Sequence, residues 1–148
     1  MSLPSAEEII QAYNLQPHPE GGWYRQTWVA KAEDGERPSG TAILFLLKRE
    51  ERSHWHRVDA TEIWLWHAGD PLRLSIHEGG ETEEHTLSGT LAAGTTPQAI
   101  VPPHAWQSAE PFAGDAGYTL VSCTVSPGFR FEGFELAPPG WHPGRSEA

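Results

Sequence analysis

The chain has one cysteine in 148 residues, which excludes an intrachain disulfide framework and suits a reducing compartment. It is poor in positive charge. Ten Lys and Arg face twenty Asp and Glu, for a formal net charge of −10, and the basic residues form no cluster. Nucleic acids and anionic membranes are bound through Lys and Arg, so neither is expected as a partner. Long apolar runs are missing too: no stretch reaches membrane-span length, and no basic region leads an apolar run at the N-terminus. A soluble cytoplasmic protein is the expectation. Internal repeats and low-complexity tracts are also absent. What is present is a hydrophobic content of 38% with seven Trp, enough in this length to bury one core.

The most informative stretch is Ser53–Gly69, SHWHRVDATEIWLWHAG. On a strand, residues two apart point to the same face, so His54 and His56 are expected to project together. After a turn near Val58–Ala60, Glu62, Trp64 and Trp66 share one face of a second strand by the same rule. Turned inward, this hairpin would make a polar cluster floored by indole rings. Imidazole nitrogen and carboxylate oxygen suit Zn, Fe, Mn or Ni. A half-buried strand can also carry histidines two apart simply as amphipathic filler.

Elsewhere the pattern is short strands punctuated by Gly and Pro, which argues an all-β sandwich or barrel. The exception is the start, where Ser5-Ala6-Glu7-Glu8 forms a capping box and predicts a short helix from about Ala6 to Tyr13. Gly21-Gly22 permits a turn with close backbone approach. In the following strand, Trp23–Val29, alternation puts Trp23, Arg25 and Thr27 on one face and Tyr24, Gln26 and Trp28 on the other. Glu20 and Arg25 are candidates to hold a polar or anionic ligand group, Arg being suited to bidentate capture. Thr41–Leu47 reads as a strand covered on both faces. Leu72, Leu74 and Ile76 alternate with polar neighbours, and Gly79–Glu84 reads as a loop. In Tyr118–Val125, Thr119, Val121, Cys123 and Val125 share a side, with Cys123 a buried filler. Phe129, Phe131 and Phe134 form a packing strip. The domain plan is a lead-in over 1–17, one domain over 18–137, and a Pro- and Gly-rich tail over 138–148.

The His-Glu hairpin resembles the first cupin motif, G-x5-H-x-H-x(3,4)-E-x6-G, with Gly69 six residues beyond Glu62. Two details depart: five residues separate His56 from Glu62, and Lys48 stands at the opening Gly. The second motif, G-x5-P-x-G-x2-H-x3-N, is matched more loosely around Pro102. There His104 replaces a Gly and Gln107 replaces the metal-binding His. HPEGGWYRQTW at 18–28, TAILFLL at 41–47, VPPHAWQSA at 101–109 and LVSCTVSPGFRFEGFEL at 120–136 are similar to the Cupin_5 family in particular. The resemblance implies a double-stranded β-helix, or jelly-roll, barrel with a short N-terminal helix. It also implies a weakly held divalent metal (Zn, Ni, Fe or Mn) on His54, His56, Glu62 and Gln107, with His104 as the alternative fourth ligand.

The expected function is binding of a small polar or cyclic molecule, without an assigned activity. Glu20, Arg25, Trp64, Trp66, His104 and Tyr118 are the candidate ligand-binding residues, and His54 and His56 the candidate catalytic ones. A metal-dependent oxygenase or isomerase is one alternative. A metal-free epimerase of the sugar-nucleotide type, with a pocket histidine moving a proton α to a carbonyl, is the other. The apolar N-terminal strand carrying Trp23 and Trp28 is an edge to be covered, so a homodimer is expected.

Overall fold

The computed structural model describes residues 2–144. Ser5 caps helix α1 (Ala6–Tyr13): its hydroxyl accepts from the Glu8 amide at 3.2 Å, and the Glu8 carboxylate accepts from the Ser5 amide at 3.1 Å. Asn14 ends the helix in the left-handed conformation, φ 57°. The helix docks through Ile9, which packs with Leu15, Leu46 and Tyr118 on the outside of a sheet.

Everything after the helix is strand and connection. The strands are β1 (Gln16–Pro17), β2 (Trp23–Val29), β3 (Thr41–Lys48), β4 (Ser53–Val58), β5 (Thr61–Gly69) and β6 (Leu72–Glu78). They continue as β7 (Glu81–Leu87), β8 (Thr95–Thr96), β9 (Gln98–Val101), β10 (Trp106–Pro111), β11 (Tyr118–Ser126) and β12 (Phe134–Leu136). Two six-stranded sheets result, in the orders β1-β2-β3-β11-β5-β9 and β12-β4-β10-β6-β7-β8. All pairings are antiparallel except β7 with β8. This mostly-β arrangement, with one short helix, is consistent with a jelly roll. No helix among the described residues is long and apolar enough to cross a membrane.

The core lies between the two sheets, built from the inward alternate residues. Leu72, Leu74 and Ile76 of β6 face Phe45 and Leu47 of β3, Trp64 of β5, and Val121 and Cys123 of β11. Phe45 and Trp64 meet edge to face with centroids 5.9 Å apart.

Three features differ from the sequence-based expectation. Residues Glu81–Glu84 belong to β7 rather than a loop, because Glu81, Glu83 and Glu84 are all exposed and give no apolar alternation. A bulge interrupts β2, where Gln26 pairs with Ile43 but Trp28 with Ala42. A second bulge interrupts β4, where Gln107 pairs with His56 but Ala109 with Ser53. That second irregularity decides the site.

Candidate functional site

The extra residue in β4 breaks the period-2 rule across the two histidines. Ser53, His56 and Val58 turn into the core region, while His54 turns out and its Nε2 contacts the Pro138 carbonyl at 2.9 Å. His54 and His56 therefore do not share a face. The expectation that they project together is corrected by one bulge.

His56 lies on the floor of a cavity of about 110 Å³ between the sheets. Glu20 and Glu62 lie beside it, Cys123 and Val125 of β11 form one wall, and Phe129 and Phe131 stand over it. Exposed Gln26 and Phe131 mark its mouth. Cavities of roughly 150 Å³ accept a benzene ring, so the enclosed part suits a ligand of about one ring.

Glu20 reaches this floor because of the two glycines that follow it. Gly21 has φ 111°, and a Cβ there would overlap the Arg52 carbonyl, so only glycine lets the loop press against β4. The His54 amide then donates to the Glu20 carbonyl at 2.8 Å, and the Ser53 hydroxyl donates to the Glu20 carboxyl. His18, which begins the same loop, is buried against Tyr24, Phe45 and Phe134.

The proton positions follow from the contacts. The Glu20 amide donates to His18 Nδ1 at 3.0 Å, so that nitrogen presents a lone pair. Glu20 Oε1 is 3.3 Å from the same nitrogen, a clash of lone pairs unless the carboxyl is protonated. Burial acts in the same direction, raising the Glu20 pKa to about 8 despite the Ser53 bond. It lowers His18 to about 4, with His56 adding to the effect. His56 Nδ1 donates to the His54 carbonyl at 2.8 Å, which leaves Nε2 as the free lone pair. That Nε2 is 3.6 Å from Glu20 Oε2, too far for a hydrogen bond, on a side chain 1% exposed. Burial lowers the His56 pKa, outweighing the opposite pull of Glu62.

Glu62 is held from behind. The Trp64 indole N–H donates to Gln107 Oε1 at 2.8 Å, and the Gln107 amide donates to Glu62 Oε1 at 2.9 Å. This chain fixes the orientation of the Gln107 amide. Burial raises the Glu62 pKa to about 7; His56 opposes this, and the nearby Glu20 charge reinforces it. The Cys123 thiol also bonds Glu62, and its own pKa is pushed well above the usual value by burial and by the carboxylates.

Of the candidate residues, Glu20, His56 and Glu62 come together at the cavity. Glu62, Trp64 and Trp66 do share the inward face of β5, but only Glu62 reaches the cavity. Trp64 lies one layer behind it, and Trp66 further along, its indole donating to the Asp70 carbonyl at 3.1 Å. Arg25 faces away from the cavity and contacts the Tyr13 carbonyl at 3.4 Å. His104 is exposed, with φ 67°, and Tyr118 packs beneath the helix with its hydroxyl on the Pro4 carbonyl. Sequence reasoning missed His18, Tyr24, Phe129 and Phe131 as cavity residues. The phenylalanines were visible as an apolar strip, and His18 as the first residue of the GG loop, but no local pattern points either at the histidine floor.

The expected metal donors do not fit an ion. His54 faces out, and the Gln107 oxygen already accepts from Trp64. Among the described residues, no group of three or more His, Cys, Asp or Glu is placed to hold a metal.

Residues 7–137 match the model of Cupin_5, a cupin superfamily family also described as DUF985. The chain belongs to the Cupin_5 family. Two solved structures extend the likeness over nearly the whole chain. A hypothetical protein from Leishmania major is 34% identical, with a TM-score of 0.83, over 90% of this chain and 88% of the other. A protein from Shewanella oneidensis is 37% identical, with a TM-score of 0.84, over 91% and 85%. Oxalate decarboxylase from Bacillus subtilis shares 9% identity and a TM-score of 0.60, over 84% of this Cupin_5 chain and 30% of its own, a likeness of fold alone. No curated protein matches the chain.

Proposed function

We propose that this Cupin_5 protein binds a small polar molecule, about one ring in size, in the cavity above His56. Proton transfer is the chemistry its floor is equipped for. The observation that carries the reading is His56 Nε2: buried, without a hydrogen-bond partner, tautomerically fixed as an acceptor, and set beside Glu20 in an enclosed space. A buried polar atom left open onto a cavity is a vacancy for a ligand atom. Glu20, protonated at neutral pH, is the acid, and His56 Nε2 is the base. Glu62, braced through Gln107 and Trp64, sets the local charge. The arrangement favours a metal-free acid–base site over a metal-dependent oxygenase, because the donors that the metal reading needs do not converge.

The sugar-nucleotide alternative lacks its recognition element. No Lys or Arg lines the cavity, and Arg25, the candidate for an anionic group, lies outside it. The test is a thermal-shift screen of small cyclic, amide, amine and carbonyl compounds, followed by proton exchange in D2O by NMR. Compounds that stabilise the native protein should lose that effect in His56→Asn. A set of binders indifferent to both His56→Asn and Glu62→Gln would place binding elsewhere and overturn the reading.

A further inference from the structure

We infer that the cavity selects a small organic cation carrying several N–H donors, of the amidinium or guanidinium class. This rests on the proposed binding role of the same cavity and adds the charge and hydrogen-bonding character of the ligand.

The first observation is the donor and acceptor balance of the floor. Donors that the chain supplies there are already in use: the Ser53 hydroxyl on Glu20, the Gln107 amide and Cys123 thiol on Glu62, and His56 Nδ1–H on the His54 carbonyl. What remains open toward the cavity is acceptor capacity, namely His56 Nε2 and the remaining carboxyl lone pairs. An occupant that satisfies this floor must bring N–H or O–H groups.

The second observation is charge. Two carboxyl groups share the cavity with no Lys or Arg, and both histidines are held neutral by burial. The carboxyls' raised pKa values are what an absent counter-charge produces. Phe129, Phe131 and Tyr24 line the approach, and aromatic faces attract cations while offering nothing to an anion. A chain of net charge −10 steers cations toward it as well. A planar amidinium can donate two N–H groups to one carboxylate and another to His56 Nε2, with its apolar substituent toward the phenylalanines. Glu20 gives up its proton as the cation enters.

The experiment compares two isosteric series by calorimetry at pH 7: acetamidinium, acetamide and acetate, and benzamidinium, benzamide and benzoate. The amidinium of at least one series should bind at least tenfold more tightly than its amide, and the carboxylate should not bind. Binding should release protons, seen as an enthalpy that depends on the buffer's ionisation heat. Glu62→Gln should reduce the preference for cation over amide to below threefold; Glu20→Gln, measured in parallel, should abolish the proton release. If an amide or carboxylate binds as tightly as its amidinium, charge selection is refuted while the binding site stands. If none of the six binds, the cation inference falls; the binding role then rests on the wider screen and fails only if that screen also yields no compound sensitive to His56→Asn.

Discussion

Replacing Glu62 by Gln isolates the cost of keeping a carboxyl inside this cavity. The amide keeps an oxygen to accept from Gln107 and removes only the charge. In the unfolded chain the carboxyl titrates near 4.5; in the folded chain burial moves it to about 7. Below pH 4.5 both states are protonated, so ionisation costs the fold nothing. As pH rises from 4.5 to 7 the unfolded state ionises first, and native stability falls by about 1.4 kcal/mol per unit of pH, for a loss of about 3 kcal/mol that is complete above pH 7. The variant escapes that loss. Its melting temperature relative to wild type should therefore rise between pH 4 and pH 8 by roughly 6–12 °C, since a domain of this size shifts by about 2–4 °C per kcal/mol. Titration of His18 and His56 affects both proteins and largely cancels in the difference. Thermal unfolding followed by circular dichroism across pH 4–8 supplies the measurement. A difference in melting temperature that stays flat with pH, or falls as pH rises, would show that Glu62 is not held in a charge-disfavouring site and refute the reasoning.

Trp64→Phe keeps most of the buried ring but deletes the indole N–H, leaving the Gln107 oxygen buried and unpaired. Denaturant unfolding should show a loss of about 1–3 kcal/mol, and ligand affinity should fall as Glu62 loses its brace. Arg25→Ala, outside the cavity, should leave the affinity of any cavity ligand within twofold of wild type by calorimetry. We also propose that the chain forms a homodimer through β2. Since β1 pairs only with Trp23 and Tyr24, the edge from Arg25 to Val29 is open, with Trp28 53% exposed. Light scattering at micromolar concentration should give twice the chain mass, and Trp28→Glu should halve it.

Much of the fold was legible because its signals are local. The Ser5–Glu8 capping box yields the helix over Ala6–Tyr13 as expected. Clean alternation in β6 and β11 assigns Leu72, Leu74, Ile76, Val121 and Cys123 to the core. The apolar run at 41–47 becomes β3, paired on both sides by β2 and β11. The cavity was legible only in part. A bulge costs one residue and leaves no compositional mark, so H-x-H reads as one face whether or not β4 is regular. Gln107 sat at the right register opposite His56. Its oxygen goes to Trp64 instead of an ion, and that depends on where two distant strands place their side chains. His18, Phe129 and Phe131 reach the cavity through loops that flank β2 and β12, and loop paths carry no period to read.

The central claim is that His56 presents an unoccupied Nε2 lone pair to a ligand. Long-range proton–nitrogen NMR on the histidine-labelled protein reports it directly. At pH 7 His56 should be neutral with the proton on Nδ1, and saturating benzamidinium should move the Nε2 resonance as that nitrogen accepts an N–H. A charged imidazolium at pH 7, a proton on Nε2, or an Nε2 resonance that stays fixed under a saturating cavity ligand would contradict it.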